Sequence, residues 1–261
     1  MRDMLAHRRT NRSIGSFTAT LLVPVGSNFR RYYHEFHMSA SDNDYLYRIV
    51  DFSRALDLFD SRQLHFSAPS EWDDPFETIL YHRRSHALFA QCWCKKSVSD
   101  AMWRVYSPKH QSVRLRTTRW KLEAVARQYN DENLSSWIRD VDYRAPSQVR
   151  AALTQLTQRL RETYTIAEAV DALFLKRDAF DYENEVRVVL HDTHASTSSP
   201  PAKFLRLNVD PHYLIESIMF DPQVDPYFYR SSKLHLQTVT GFKGSIGQSA
   251  LYRLQRRLII E

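Results

Sequence analysis

Two carboxylates stand two residues apart in Tyr182-Glu183-Asn184-Glu185-Val186-Arg187-Val188-Val189. If this stretch is extended, Glu183 and Glu185 share one face, and like charges that close raise one of the two pKa values. Such a pair can stabilise a developing cation and supply a base. The commoner alternative is that Glu185 pairs with Arg187, also two residues on, across a solvated face. A second acidic set lies in Ser67-Ala68-Pro69-Ser70-Glu71-Trp72-Asp73-Asp74-Pro75-Phe76-Glu77. Its two prolines exclude ladder pairing, and Trp72 and Phe76 are buried-type anchors among exposed-type carboxylates. Asp73, Asp74, Glu77 and Glu185 are hard-cation ligands, so a metal-dependent nuclease or hydrolase stays open.

The run Arg104, Lys109, Arg114, Arg116, Arg119, Lys121 and Arg127 is interrupted only by Glu123 and interleaved with Trp103, Tyr106 and Trp120. Cations among aromatic platforms suit single-stranded nucleic acid, with Arg114, Arg116, Arg119 and Lys121 as its contacts. An edge strand protected by charge explains the same pattern, and more often. Cys92 and Cys94 lack a second ligand pair at zinc spacing, His191 and His194 being the nearest approach, and no metal is expected. On a strand, the two thiols sit among apolar neighbours that raise their pKa values, which disfavours nucleophilic chemistry. A reducing, cytoplasmic compartment fits two cysteines that are not placed to bridge each other.

These residues need a scaffold, and the chain of 261 residues with 43% hydrophobic side chains can build one. Its formal charge is +6, but residues 1–40 carry six arginines against Asp3 and Glu35, four of those six charges. That stretch reads as a disordered basic extension or transit-like leader, ahead of a nearly balanced domain over 41–240 and an amphipathic appendage over 241–261. Neither GxGxxG nor GxxxxGK[ST] occurs, so the common phosphate-loop motifs are missing. The apolar run 17–25 is too short to cross a bilayer.

Residues 45–50 are rich in strand formers, Ser53 is placed to cap a helix burying Ala55, Leu56 and Phe59, and 64–67 returns as a strand. Residues 87–94 read as a central strand, 99–106 as a short helix, and 112–117 as a half-exposed strand with a basic outer face. Pro146 opens a helix with Val149, Leu153, Leu156 and Leu160 on one stripe, and a second helix carries Ile166, Val170, Leu173 and Phe174. Strands are expected at 184–190, 204–209, 215–220 and 234–240. This order predicts an α+β fold with mainly antiparallel, split sheets and flanking helices.

Taken in order, Leu46-Tyr47-Arg48, the loop at 67–77, Cys92-Trp93-Cys94, Ala101-Met102-Trp103-Arg104-Val105-Tyr106-Ser107, Val141-Asp142-Tyr143 and Tyr182-Glu183-Asn184-Glu185-Val186-Arg187 resemble the bacterial domain-of-unknown-function family 2971. The resemblance spans about residues 45–222, with Asp73 where the family has Asn and Val186 where it has Trp. The strand, helix, strand opening and closing Glu are in turn similar to ADP-ribosyltransferases. That similarity implies NAD as substrate, with Tyr47 or Arg48 on the adenosine or phosphate side and Ser67 at the nicotinamide ribose. Asp74 and Arg187 complete the implied cofactor-binding set. Glu185 would stabilise the oxocarbenium, and Glu183 would orient or deprotonate the acceptor. A nucleic-acid or protein acceptor and a toxin or phage-defence role are implied with it. A non-catalytic nucleic-acid-binding accessory module is the competing expectation.

Overall fold

Alternating buried apolar residues at Gln63–Ser67, Phe204–Asn208 and Ser217–Phe220 build three of the strands in the structure, a computed structural model that describes residues 19–20, 44–97, 99–130, 133–196 and 201–254. The first half holds β1 (Ala19–Thr20), β2 (Tyr45–Asp51), α1 (Phe52–Ser61), β3 (Gln63–Ser67), β4 (Leu88–Cys94), α2 (Asp100–Tyr106), β5 (Ser112–Thr118) and α3 (Arg119–Gln128). Next come β6 (Leu134–Asp140), β7 (Asp142–Arg144), α4 (Pro146–Glu162), α5 (Ile166–Asp171), β8 (Leu175–Arg177) and β9 (Glu185–Asp192). The chain continues through β10 (Phe204–Asn208), α6 (Pro211–Leu214), β11 (Ser217–Phe220), α7 (Pro226–Thr238) and β12 (Ser245–Gln248).

Ten of these strands form one sheet in the order β1-β10-β3-β4-β2-β5-β11-β12, with β9 beside β4 and β6 beside β9. Its pairs are antiparallel except β1 with β10 and β11 with β12, which gives the expected α+β, mainly antiparallel architecture with flanking helices. The parallel pair β7 and β8 stands apart. Strands β4 and β9 are buried on both faces, as a continuous run of apolar residues requires at the centre of a sheet. Helix α1 packs Ala55, Leu58 and Phe59 onto Leu46, Leu64, Phe66 and Leu115 and ends at Arg62 in the left-handed region. Helix α4 buries the expected stripe of Val149, Leu153, Leu156 and Leu160. Among the described residues no helix is long and apolar enough to cross a membrane.

Several local expectations change. Strand β5 is not a half-exposed edge: β2 and β11 pair with its two sides, and Arg114 is buried against the Tyr47 ring and the Met219 sulfur. Residues 234–240 are not a strand, because α7 runs to Thr238 and places Ser232 and Leu236, four apart, inward. Asp51, not Ser53, is the N-cap of α1. Ser245–Gln248, expected in an appendage, pair with β11 as part of the main sheet. The expected N-terminal extension lies outside the described residues apart from Ala19–Thr20, which pair with β10.

Candidate active site

The sheet splits at β4. One edge of β4 pairs along its length with β9, whereas the other edge is shared: Ala90 meets Ser67 of β3 and Cys94 meets Tyr47 of β2. Both β2 and β3 run antiparallel to β4 and would compete for residues 91–93, so they part. The buried Gln91 amide fills the opening, donating to the His65 carbonyl at 2.7 Å and accepting from Trp93 Nε1 at 2.7 Å. A buried amide so placed satisfies a β3 carbonyl that strand pairing leaves free.

Beside this split lies a cleft of about 580 Å³, within the range of small-molecule sites. Tyr47, Arg48, Ser67, Asp74, Glu183, Glu185 and Arg187 all line it, brought together from β2, β3, β9 and the turns before β4 and β9. The Ser67 hydroxyl accepts from Trp72 Nε1 at 3.3 Å. Asp74 Oδ1 accepts from Phe76 N and from Arg177, each at 3.0 Å. Arg48 makes no hydrogen bond or ion pair among the described residues. Burial, with Arg54 adding repulsion, lowers its pKa to about 10, which leaves it charged at neutral pH.

The floor is a buried charge network. Arg187 donates from Nε to Glu185 at 2.7 Å, from one terminal nitrogen to Glu77 at 2.7 Å, and from the other to the Leu173 carbonyl at 2.6 Å. Lys176 touches Glu183, and its ammonium lies 2.9 Å from Glu185 and 3.2 Å from Glu77. The Tyr106 hydroxyl donates to Glu183 at 3.1 Å, and the Glu185 amide donates to the Tyr143 hydroxyl at 2.9 Å. Three carboxylates thus face two cations. Burial raises the Glu183 pKa to about 7, helped by a hydrogen bond shared with Glu185. Burial would raise Glu185 as well, but Arg187 and Lys176 outweigh it and hold its pKa at about 2. The two carboxyls are one coupled pair, with the retained proton on the Glu183 side.

The Glu183–Glu185 pair and the Glu185–Arg187 contact both follow from their two-residue spacing in the sequence, but the contact is buried rather than solvated. Lys176 is not expected from spacing, and its place at the end of the apolar stretch Ala172-Leu173-Phe174-Leu175 is its sole sequence signal. Nor does spacing point to Glu77 as an Arg187 partner.

The nucleic-acid candidates lie elsewhere. Arg114, Arg116, Arg119 and Lys121 do not line the cleft, and three of them are neutralised: Arg116 and Lys121 by Glu216, and Arg119 by Asp140 and Glu123. Cys92 is in the cleft wall, where burial pushes its thiol up to about 12. His191 is held at about 4 by burial and by Arg84, whose Nε donates to it at 3.2 Å. Among the described residues no three His, Cys, Asp or Glu side chains are grouped to hold a metal ion. Asp74, Glu77 and Glu185 already spend oxygens on arginine or lysine.

The family described as "Protein of unknown function (DUF2971)" has a model that matches residues 102–188, a stretch running from α2 to β9. It includes the Glu183–Glu185 motif and stops short of the acidic loop at 67–77. No curated protein matches the chain. Among solved structures, Thermus sp. 2.9 DarT in complex with carba-NAD+ is similar at 9% identity and a TM-score of 0.38, over 80% of this chain and 97% of that one.

Proposed function

We propose that the cleft binds NAD as substrate, breaks the bond between nicotinamide and ribose, and transfers ADP-ribose to a nucleic acid or a protein. The observation that carries this is the charge layout of one cleft: an unpaired Arg48 on its wall and a buried network one positive charge short on its floor. An arginine without a partner suits the pyrophosphate. The electronegative floor suits the cationic pyridinium and, once that ring leaves, the oxocarbenium.

In this scheme Ser67 lies at the nicotinamide ribose, and Tyr47 and Asp74 flank the substrate. Arg187 and Lys176 keep Glu185 ionised and fixed, so it faces the developing positive charge without reorganising. Glu183 takes a proton from the acceptor nucleophile as the new bond to the ribose carbon forms. Metal-dependent hydrolysis is the weaker reading, because the carboxylates it needs are tied to cations.

The test is nicotinamide release from NAD by the purified protein, with RNA, DNA and protein acceptors supplied. Glu185→Gln should lower the rate by about 10²–10³-fold. No release and no NAD binding under any of these conditions would sink the proposal.

A further inference from the structure

The floor network raises a question that the transferase chemistry does not use. Glu77, Glu183 and Glu185 are all buried and converge on Lys176, and among the described residues Arg187 is the only other cation paired with any of them. Tyr106 from α2, Tyr143 from β7, Tyr182 beside it and the thiols of Cys92 and Cys94 from β4 are the neutral titratable groups near the pair, and the cationic Arg48 from β2 faces Tyr106 and Cys92 on the cleft wall. Arg177 is occupied by Asp74. The network is therefore neutral only while it keeps one proton, and once that proton is lost it is one positive charge short.

We propose that the cleft selects the oxidised, cationic form of a nicotinamide dinucleotide by exchanging the proton shared between Glu183 and Glu185 for the charge of the ligand's ring. This rests on the NAD reading and deepens it. The O–H bond of the shared carboxylic acid breaks, the proton leaves to buffer, and the ring nitrogen's charge takes its place opposite the now fully ionised pair. Aromatic faces help to hold such a cation: Phe180 already lies 4.9 Å from the Lys176 ammonium, and Tyr106 and Tyr182 line the same wall. A dihydronicotinamide keeps the pyrophosphate and adenosine but carries no ring charge, so it cannot replace the proton.

Calorimetric titration with NAD+ and with NADH, each from pH 6 to pH 8, tests this. The Kd for NAD+ should tighten about tenfold across that range while that for NADH stays flat, and NAD+ should be the tighter ligand at pH 8. Repeating the NAD+ titration at pH 7 in two buffers of different ionisation enthalpy should show about half a proton released per ligand bound. Glu183→Gln should flatten the NAD+ profile; if that variant does not fold, the wild-type proton count decides alone. NAD+ binding without pH dependence or proton release, or NADH binding equally well, overturns this inference and leaves the NAD reading intact. Failure of both dinucleotides to bind overturns both.

Discussion

Lys176 holds the position on which the buried site depends. Replacing it with Met leaves Glu77, Glu183 and Glu185 facing one another with Arg187 alone, and stranding buried charge costs about 3–5 kcal/mol. Urea denaturation of Lys176→Met should show that loss at pH 8 and a smaller one at pH 5, where protons replace the ammonium. The glutamate pair has its own signature in wild type. Glu183 has a folded pKa near 7 against 4.5 for a free glutamate, so its contribution is complete below about pH 4.5 and is lost as pH rises to about 7. Glu185, lowered to about 2, contributes above about pH 4.5 and loses that contribution as pH falls toward 2. The difference in unfolding free energy between wild type and Glu183→Gln, from urea titrations, should therefore move against wild type between pH 4.5 and 7, by on the order of 2 kcal/mol.

Among the elements, Gln91 is the residue that makes the strand split compatible with a dry interior. Gln91→Leu leaves the His65 carbonyl and Trp93 Nε1 without partners and should cost about 2–4 kcal/mol by chemical denaturation, with NAD binding weakened as the split closes. Elements with clean periodicity were readable from sequence: the four-residue and three-residue spacings of α4, and the apolar alternation of β4. Helix α7 was not, because Leu234-His235-Leu236-Gln237 alternates like a strand while its burial follows the helical period. The basic face of β5 misled for another reason. The Arg114 and Arg116 guanidiniums stack on Tyr47 and Tyr45, so a cationic strand can be paired on both sides. The convergence of β2, β3 and β9 on one cleft depends on pairings between residues as distant as Cys94 and Glu185, which no local pattern encodes.

Among the described residues, Arg116, Arg119 and Lys121 are paired with carboxylates and Arg114 is buried, so the basic run does not form an open cationic face. Arg114 is only 8% exposed, so Arg114→Glu should lower the melting temperature by burying a charge opposite apolar neighbours, whatever it does to nucleic-acid binding. A thermal melt of that variant distinguishes a stability defect from loss of a contact surface. The fold divides into two half-sheets that share β4. Residue 92 lies between the two bridges with no strand opposite it on the split side. Main-chain groups of residue 92 on that short edge have no strand partner among the described residues. The Cys92 amide hydrogen should exchange faster than those of β9 in the free protein and slow when the cleft is filled, which makes hydrogen exchange at that position a reporter of occupancy that needs no knowledge of the acceptor.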